Sequence, residues 1–196
     1  MKDNTSERHD DAPLTTSKDG DAAEKLGDRI PGIQGESVSG TTVTINRPRA
    51  ELFAFWRDFA NLPHFMDNVE RIDVTNSITS HWVVRAPAGK SVEWDAKITD
   101  ENDGHFIAWS SAENADVPNS GRVDFRDATG GRGTAVTATI VYNPPGGVVG
   151  KIIAKMFQRE PAIQARRDLR RFKQLMETGE IATAAWTRAQ HEEDKE

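Results

Sequence analysis

Between residues 37 and 181, apolar and polar positions alternate in short runs separated by Gly, Asn, Asp and Pro. Seven runs have the period of two expected of β-strands: 38–46, 69–75, 80–85, 92–99, 105–111, 121–126 and 134–142. In the first, Val43 and Ile45 alternate with Thr42 and Thr44. In the fourth, Val92, Trp94, Ala96 and Ile98 alternate with Glu93, Asp95 and Lys97, which predicts one dry face and one wet face. Turn chemistry stands between the runs, as in Asn76-Ser77, Ala88-Gly89, Asp103-Gly104 and Gly130-Gly131. Connections this short predict an antiparallel meander.

The period lengthens in two places. After Pro48, a residue suited to a first helical turn, Leu52, Phe53, Phe55, Trp56 and Phe59 form an apolar stripe at spacings of three and four. Residues 62–66, Leu-Pro-His-Phe-Met, read as a broken connector or a short second helix. Asn143-Pro144-Pro145-Gly146-Gly147 ends the sheet, and a helix is expected over 148–178, stopped by Gly179. Pro161 must bend or interrupt it, because it lacks an N–H and crowds the carbonyl four residues back. The first half offers Val148, Val149, Ile152, Ile153, Met156 and Phe157; the second offers Ala165, Leu169, Phe172 and Met176. This order predicts a sheet gripping a helix, with a ligand cavity between the concave face and residues 148–157. The glycines at 146–147 and the break at Pro161 would let that segment act as a gate.

Composition adds the tails. The chain has 196 residues, 36% hydrophobic and 29% charged, with a formal net charge of −6. Residues 1–36 carry five basic and nine acidic side chains, and residues 180–196 carry two and five, so the middle is close to neutral. The domain expected is therefore 37–181, between a polar acidic N-terminal tail at 1–36, too poor in apolar residues to order itself, and a polar acidic tail at 182–196. There is no cysteine, which excludes disulfides, thiolate catalysis and Cys-ligated metal. Residues 1–28 lack the character of a secretory signal and no run of about 18 apolar residues occurs, so a cytoplasmic protein is the expectation.

Five segments resemble a known family: LPHFMDNVERI (62–72), HWVVRAPAGKSVEWDAKITD (81–100), IAWSSAENADVPNSGRVDF (107–125), YNPPGGVVGKIIAKMF (142–157) and DLRRFKQLMETGEI (168–181). They resemble the polyketide cyclase/dehydrase and lipid-transport group of the START-like (SRPBCC, helix-grip) superfamily, near the coenzyme Q-binding START-type domains. The resemblance implies an α+β fold of order β-α-α-β6-α, a seven-stranded curved antiparallel sheet wrapped on a long C-terminal helix. It also implies a cavity for an apolar molecule. It implies no reaction, because the superfamily holds ring cyclases, lipid and quinone carriers and hormone receptors.

Aromatic residues are the first candidates for ligand contact. Trp82, Trp94 and Trp109 fall on dry faces, and indoles give large flat surfaces with one N–H donor each. With Phe106, Phe65, Met66, Ile152 and Met156 they form the expected ligand wall; the plainer alternative is that they fill the core. Chemistry has weaker candidates. His64 stands in apolar company and could serve as a base, or simply cap a turn. Tyr142 and Arg85 could donate to an enolate oxygen, and Asp95 could act only if a bulge turned it inward. Arg122 and Asp124 are expected to pair on the outside.

Other functions are excluded or demoted. GGVVGK (146–151) is not a phosphate loop, since Pro145 and Ile152 occupy positions that need Gly and Ser or Thr. No motif calls for a cofactor or a metal. Arg166, Arg167, Arg170, Arg171 and Lys173 lie opposite the apolar stripe of their helix and read as its solvated face, without the aromatic interleaving of a nucleic-acid site. A peripheral contact with anionic membrane, with Lys151 and Lys155 beside the apolar first half of the helix, is the second use that this basic face allows. Three readings follow: a carrier of a lipid, quinone or polyketide-like molecule; an aromatase-type polyketide cyclase/dehydrase; and a stress-associated interaction protein without ligand. The oligomeric state is open.

Overall fold

The computed structural model describes residues 37–86, 89–113, 115, 118–142 and 161–182. The expected tails, the 148–157 segment and Trp186 lie outside the described residues. Seven strands form one sheet: β1 (Ser37–Ile45), β2 (Val69–Val74), β3 (Thr79–Ala86), β4 (Lys90–Asn102), β5 (Phe106–Ser111), β6 (Asn119–Asp127) and β7 (Thr134–Tyr142). Their order is β1-β7-β6-β5-β4-β3-β2, and every neighbouring pair is antiparallel. Among the described strands the non-sequential neighbours are β1 and β7, because the helical segment after β1 carries the chain across the sheet to its far edge. Helix α1 (Arg49–Arg57) follows Pro48, and a 3₁₀ turn (Phe59–His64) takes the place of the expected second helix. Helix α2 spans Pro161–Thr178, and the expected earlier half of a longer helix, 148–160, lies outside the described residues.

This is the helix-grip architecture: a curved antiparallel sheet closed over a C-terminal helix. Alternation sets its inner face. Val43, Val136 and Phe125 share register across β1, β7 and β6, and Val123 and Ile107 continue the layer through β5. Ile45, Ile107, Val123 and Val136 are completely buried. Two bulges break the period. One at Glu70 keeps both Val69 and Ile72 facing inward, opposite Val84 and Trp82. The other, at Thr99, reverses the faces of β4: Ile98 pairs with Trp109 on the inside, and Glu101 then pairs with Ile107 on that same side.

Helix α2 is fixed to the end of β1 by polar groups as well as apolar ones. Lys173 Nζ donates to the Thr44 carbonyl at 2.6 Å, and Arg47 Nε donates to the Met176 carbonyl at 2.7 Å. The Asn46 N–H donates to Glu177 Oε1 at 2.7 Å. Burial pushes the Glu177 carboxyl up, but this N–H, Lys173 and Arg47 together outweigh it and hold the group below its usual value. Lys173 thus belongs to the helix–sheet junction rather than to a free solvated face. Arg171 is also paired rather than free: its Nη1 lies 2.9 Å from Oδ1 of Asp67, in the connector before β2.

Candidate functional site

Helix α1 decides where space remains. Its apolar stripe faces the sheet, and Phe53 and Trp56 meet the Phe125 ring edge-on at 5.7 and 6.3 Å. From the other side Phe172 of α2 approaches Phe65 at 4.8 Å, Trp56 at 5.1 Å and Phe55 at 5.8 Å. Phe65 and Phe172 have no exposed surface. Between α2 and the sheet, therefore, the described residues form an interlocked aromatic core. Phe65, expected at a ligand, is one of its central members, and Met66 packs at its margin.

An opening exists at the other end of α1. A groove of about 470 Å³ runs between the last turn of the helix and the tips of the β2–β3 and β4–β5 hairpins. Phe53, Phe59 and Ile98 form its apolar floor, and Ala54, Arg57 and Asp58 its helix side. Val74 and Ile78 flank it from the first hairpin, with 51% and 41% of their surfaces exposed. The cavity expected against residues 148–157 lies outside the described residues; among the described residues, this groove is bounded by α1. The signal for it was legible only in part. Two apolar residues flank the Asn76-Ser77 turn, where solvent-facing residues are the rule, but nothing in the periodicity shows that Arg57 reaches that turn.

Arg57 is the fastener of this end. Its Nε donates to Glu101 Oε2 at 2.5 Å, and its Nη2 donates to the Ser77 carbonyl at 2.8 Å and to Glu101 Oε1 at 3.3 Å. A helix, a hairpin turn and a strand end are joined through one guanidinium, in the planar geometry that suits Arg over Lys. The Thr99 bulge makes this contact available, since uninterrupted alternation would carry Glu101 to the outer face.

The inner wall of the groove leads to the tryptophans. Ser80 lines the groove, and its Oγ accepts the indole N–H of Trp82 at 2.9 Å. Phe59 also lines it and meets Trp82 edge-on at 5.8 Å. Trp82 in turn stacks on Trp94, with centroids 6.1 Å apart and planes 12° from parallel. Trp109 is register partner to Ile98 and lies over Gly121, where an added Cβ would come within 2.7 Å of the indole Cη2. The three sequence-selected tryptophans of the sheet thus share the inner face, and Trp94 and Trp109 are only partly buried.

Other expected site residues stand elsewhere. Phe106 pairs with Asp124 on the outer face, and its ring lies 3.5 Å beneath the Arg122 guanidinium. It alternates with Ile107, so it cannot share the inner face. Arg122 pairs with Asp124 at 2.8 Å, on the outside as expected. Asp95 also stays on the outer face, because neither bulge falls beside it; its Oδ1 lies 2.9 Å from His81 Nδ1. Arg85 is outside and exposed, 3.6 Å from Glu70. His64 ends the 3₁₀ turn and is exposed, not enclosed by the apolar residues around it in sequence. Tyr142 ends β7 opposite Asn119, and its side chain lies outside the described residues, as do Ile152 and Met156.

Asp168 and His81 also depart from their ordinary values. Asp168 is pushed up to about 7, chiefly by burial and further by the nearby Asp67 charge; hydrogen bonds from Gln164 and the Asp67 backbone, with Arg171, oppose this only in part. His81 is raised, because Asp95 and Glu93 bond and attract its protonated form more than burial opposes it. Among the described residues no three His, Cys, Asp or Glu side chains are placed to hold a metal ion. No helix among them is long and apolar enough to cross a membrane.

Comparison with known proteins agrees with this architecture. A crystal structure from Deinococcus radiodurans is 38% identical, with a TM-score of 0.61 over 74% of this chain and all of that one. The Zhui aromatase/cyclase from a Streptomyces species shares the fold at 13% identity and a TM-score of 0.58, over 74% of this chain and 99% of its own. A curated relative, the uncharacterized 17.2 kDa protein of the melC2-rnhH intergenic region of Streptomyces lincolnensis, is 29% identical over 150 residues, 74% of this chain and 93% of its own length. Residues 45–170 match the model of the family described as polyketide cyclase/dehydrase and lipid transport. With its sheet, its grip on α2 and this match over well over half of its length, the chain belongs to the polyketide cyclase/dehydrase and lipid transport family.

Proposed function

We propose that this protein binds a small hydrophobic molecule in the groove beside α1 and acts as a carrier or sequestering module. The observation that carries the reading is the shared wall at Ser80 and Phe59. Both residues line the groove, and both hold Trp82 in place. An apolar body entering over Val74 and Ile78 would meet Phe53, Phe59 and Ile98, with Trp82, Trp94 and Trp109 extending the aromatic surface behind them. The groove volume of about 470 Å³ falls in the range used for small molecules. Removing about 200–300 Å² of apolar ligand surface from water contributes roughly 5–8 kcal/mol before the costs of ordering.

Of the catalytic candidates read from the sequence, His64 is exposed and Arg85 and Asp95 are on the outer face, so none of these three faces the groove. The groove's own ionisable groups, Arg57, Asp58 and Asp103, stand beside an apolar floor, which supports binding of a ligand over its conversion.

The test is direct. Organic extracts of freshly purified protein are analysed by mass spectrometry beside those of Ala54→Trp, which places an indole in the groove from an exposed helix position. A stoichiometric lipid, quinone or polyketide present in the wild type and absent from the variant supports the reading. If neither the extract nor titration with apolar probes reveals a ligand for the wild type, the reading fails.

A further inference from the structure

The groove is apolar in its floor and negative at its rim. Asp58 and Asp103 both line it. Asp103 makes no hydrogen bond or ion pair among the described residues, and Asp58 uses one oxygen to accept the Ala60 N–H at 3.2 Å. The one cation of the lining, Arg57, is taken up by both carboxylate oxygens of Glu101 and by the Ser77 carbonyl. Its charge is therefore matched within the protein. The groove also receives the C-terminal end of α1, a nine-residue helix whose last turn brings the negative end of the backbone dipole to the same rim. Carboxylates and helix end reinforce one another beside a low-dielectric wall, which strengthens the field there.

We propose that the groove selects amphiphiles with a positively charged polar end, held at Asp58 and Asp103, with the apolar body against Phe53, Phe59 and Ile98. This rests on the groove being the ligand site and adds the chemical class of what it takes. An anionic head group would face two carboxylates and would have to displace Glu101 to reach Arg57.

The full chain is titrated by calorimetry with decyltrimethylammonium and decyl sulfate, each below its micellar concentration, and with 1-decanol below its solubility limit. The ammonium compound is expected to bind about tenfold more tightly than the sulfate at low salt, with the difference shrinking as salt screens it. In the Asp58→Asn/Asp103→Asn double variant the two should come within about threefold, while decanol is unchanged. Asn at 58 retains an oxygen for the Ala60 N–H, so the turn keeps its cap. Equal or tighter binding of decyl sulfate, or a preference that survives the double variant, overturns the inference. Decanol binding that Ala54→Trp abolishes, without any charge preference, overturns it while leaving the carrier reading intact. Failure of all three probes overturns this inference, and together with an empty extract it overturns the carrier reading as well.

Discussion

Ser80 and Trp82, two residues apart on β3, are joined by a 2.9 Å hydrogen bond in which the serine hydroxyl accepts the indole N–H. Both side chains are on the inner face and buried, so the indole relies on this acceptor. Ser80→Ala leaves the N–H without a partner beside an apolar groove. A loss of about 1–3 kcal/mol in chemical denaturation is expected, together with a changed tryptophan emission. Unaltered stability would mean that a water replaces the hydroxyl without cost.

Gly121 is required by Trp109. Any Cβ there would intrude on the indole, so Gly121→Ala forces the ring from its place. The expected result is a destabilisation of about 1–3 kcal/mol, in the range for overpacking. Pairing it with Trp109→Leu should recover most of that loss, which a double-mutant cycle measures directly.

Asp168 predicts how stability depends on pH. Its folded value of about 7 lies above the ordinary carboxylate value of 3.8, so the folded state retains the proton more readily. The contribution is fully present below the unfolded value and is lost as pH rises through about 7. Asp168→Asn keeps a hydrogen-bonding side chain without the charge. It should match the wild type near the acid end of that window and exceed it by on the order of 1–3 kcal/mol above it. Urea midpoints across the range decide the point, and parallel curves for the two proteins would remove Asp168 as the cause.

His81 makes a prediction of the same sign and smaller consequence. Its folded pKa is raised above 6.5 by Asp95 and Glu93, so any stabilisation is present below 6.5 and disappears as pH rises through the folded value. Histidine proton resonances followed by pH titration should show His81 titrating above the ordinary value. Asp95→Asn should bring it down; an unchanged titration would show that the Asp95 hydrogen bond does not form in solution.

Alternation was enough to read the sheet. The seven runs correspond to β1–β7 because each strand has one dry face, and Val92, Ala96 and Ile98 on β4 show that pattern plainly. Pro48 marks where α1 begins because its fixed φ suits a first helical turn and its missing N–H costs nothing there. What was not legible depends on three-dimensional partners. An extra residue at Thr99 leaves no mark on the hydrophobic pattern, yet it turns Glu101 toward Arg57 and so builds the closed end of the groove. Phe106 was misread for a different reason. Its aromatic character suggested a ligand wall, while its position next to Ile107 already assigned it to the outer face. His64 shows the limit of reading neighbours: Pro63 and Phe65 are adjacent in sequence, but the 3₁₀ turn sends the imidazole to solvent while Phe65 is buried.

The cluster of Phe172, Phe65, Trp56 and Phe55 has a consequence for how such a protein can change over evolutionary time. It concentrates cohesion at the α2 side of the fold, away from the hairpin tips. Val74, Ile78 and Asp103 are exposed at those tips, and replacing them removes little buried surface. The rim is thus free to drift toward new ligands while the anchor is held constant. A single scaffold can in this way vary what its groove admits through substitutions that its folding tolerates.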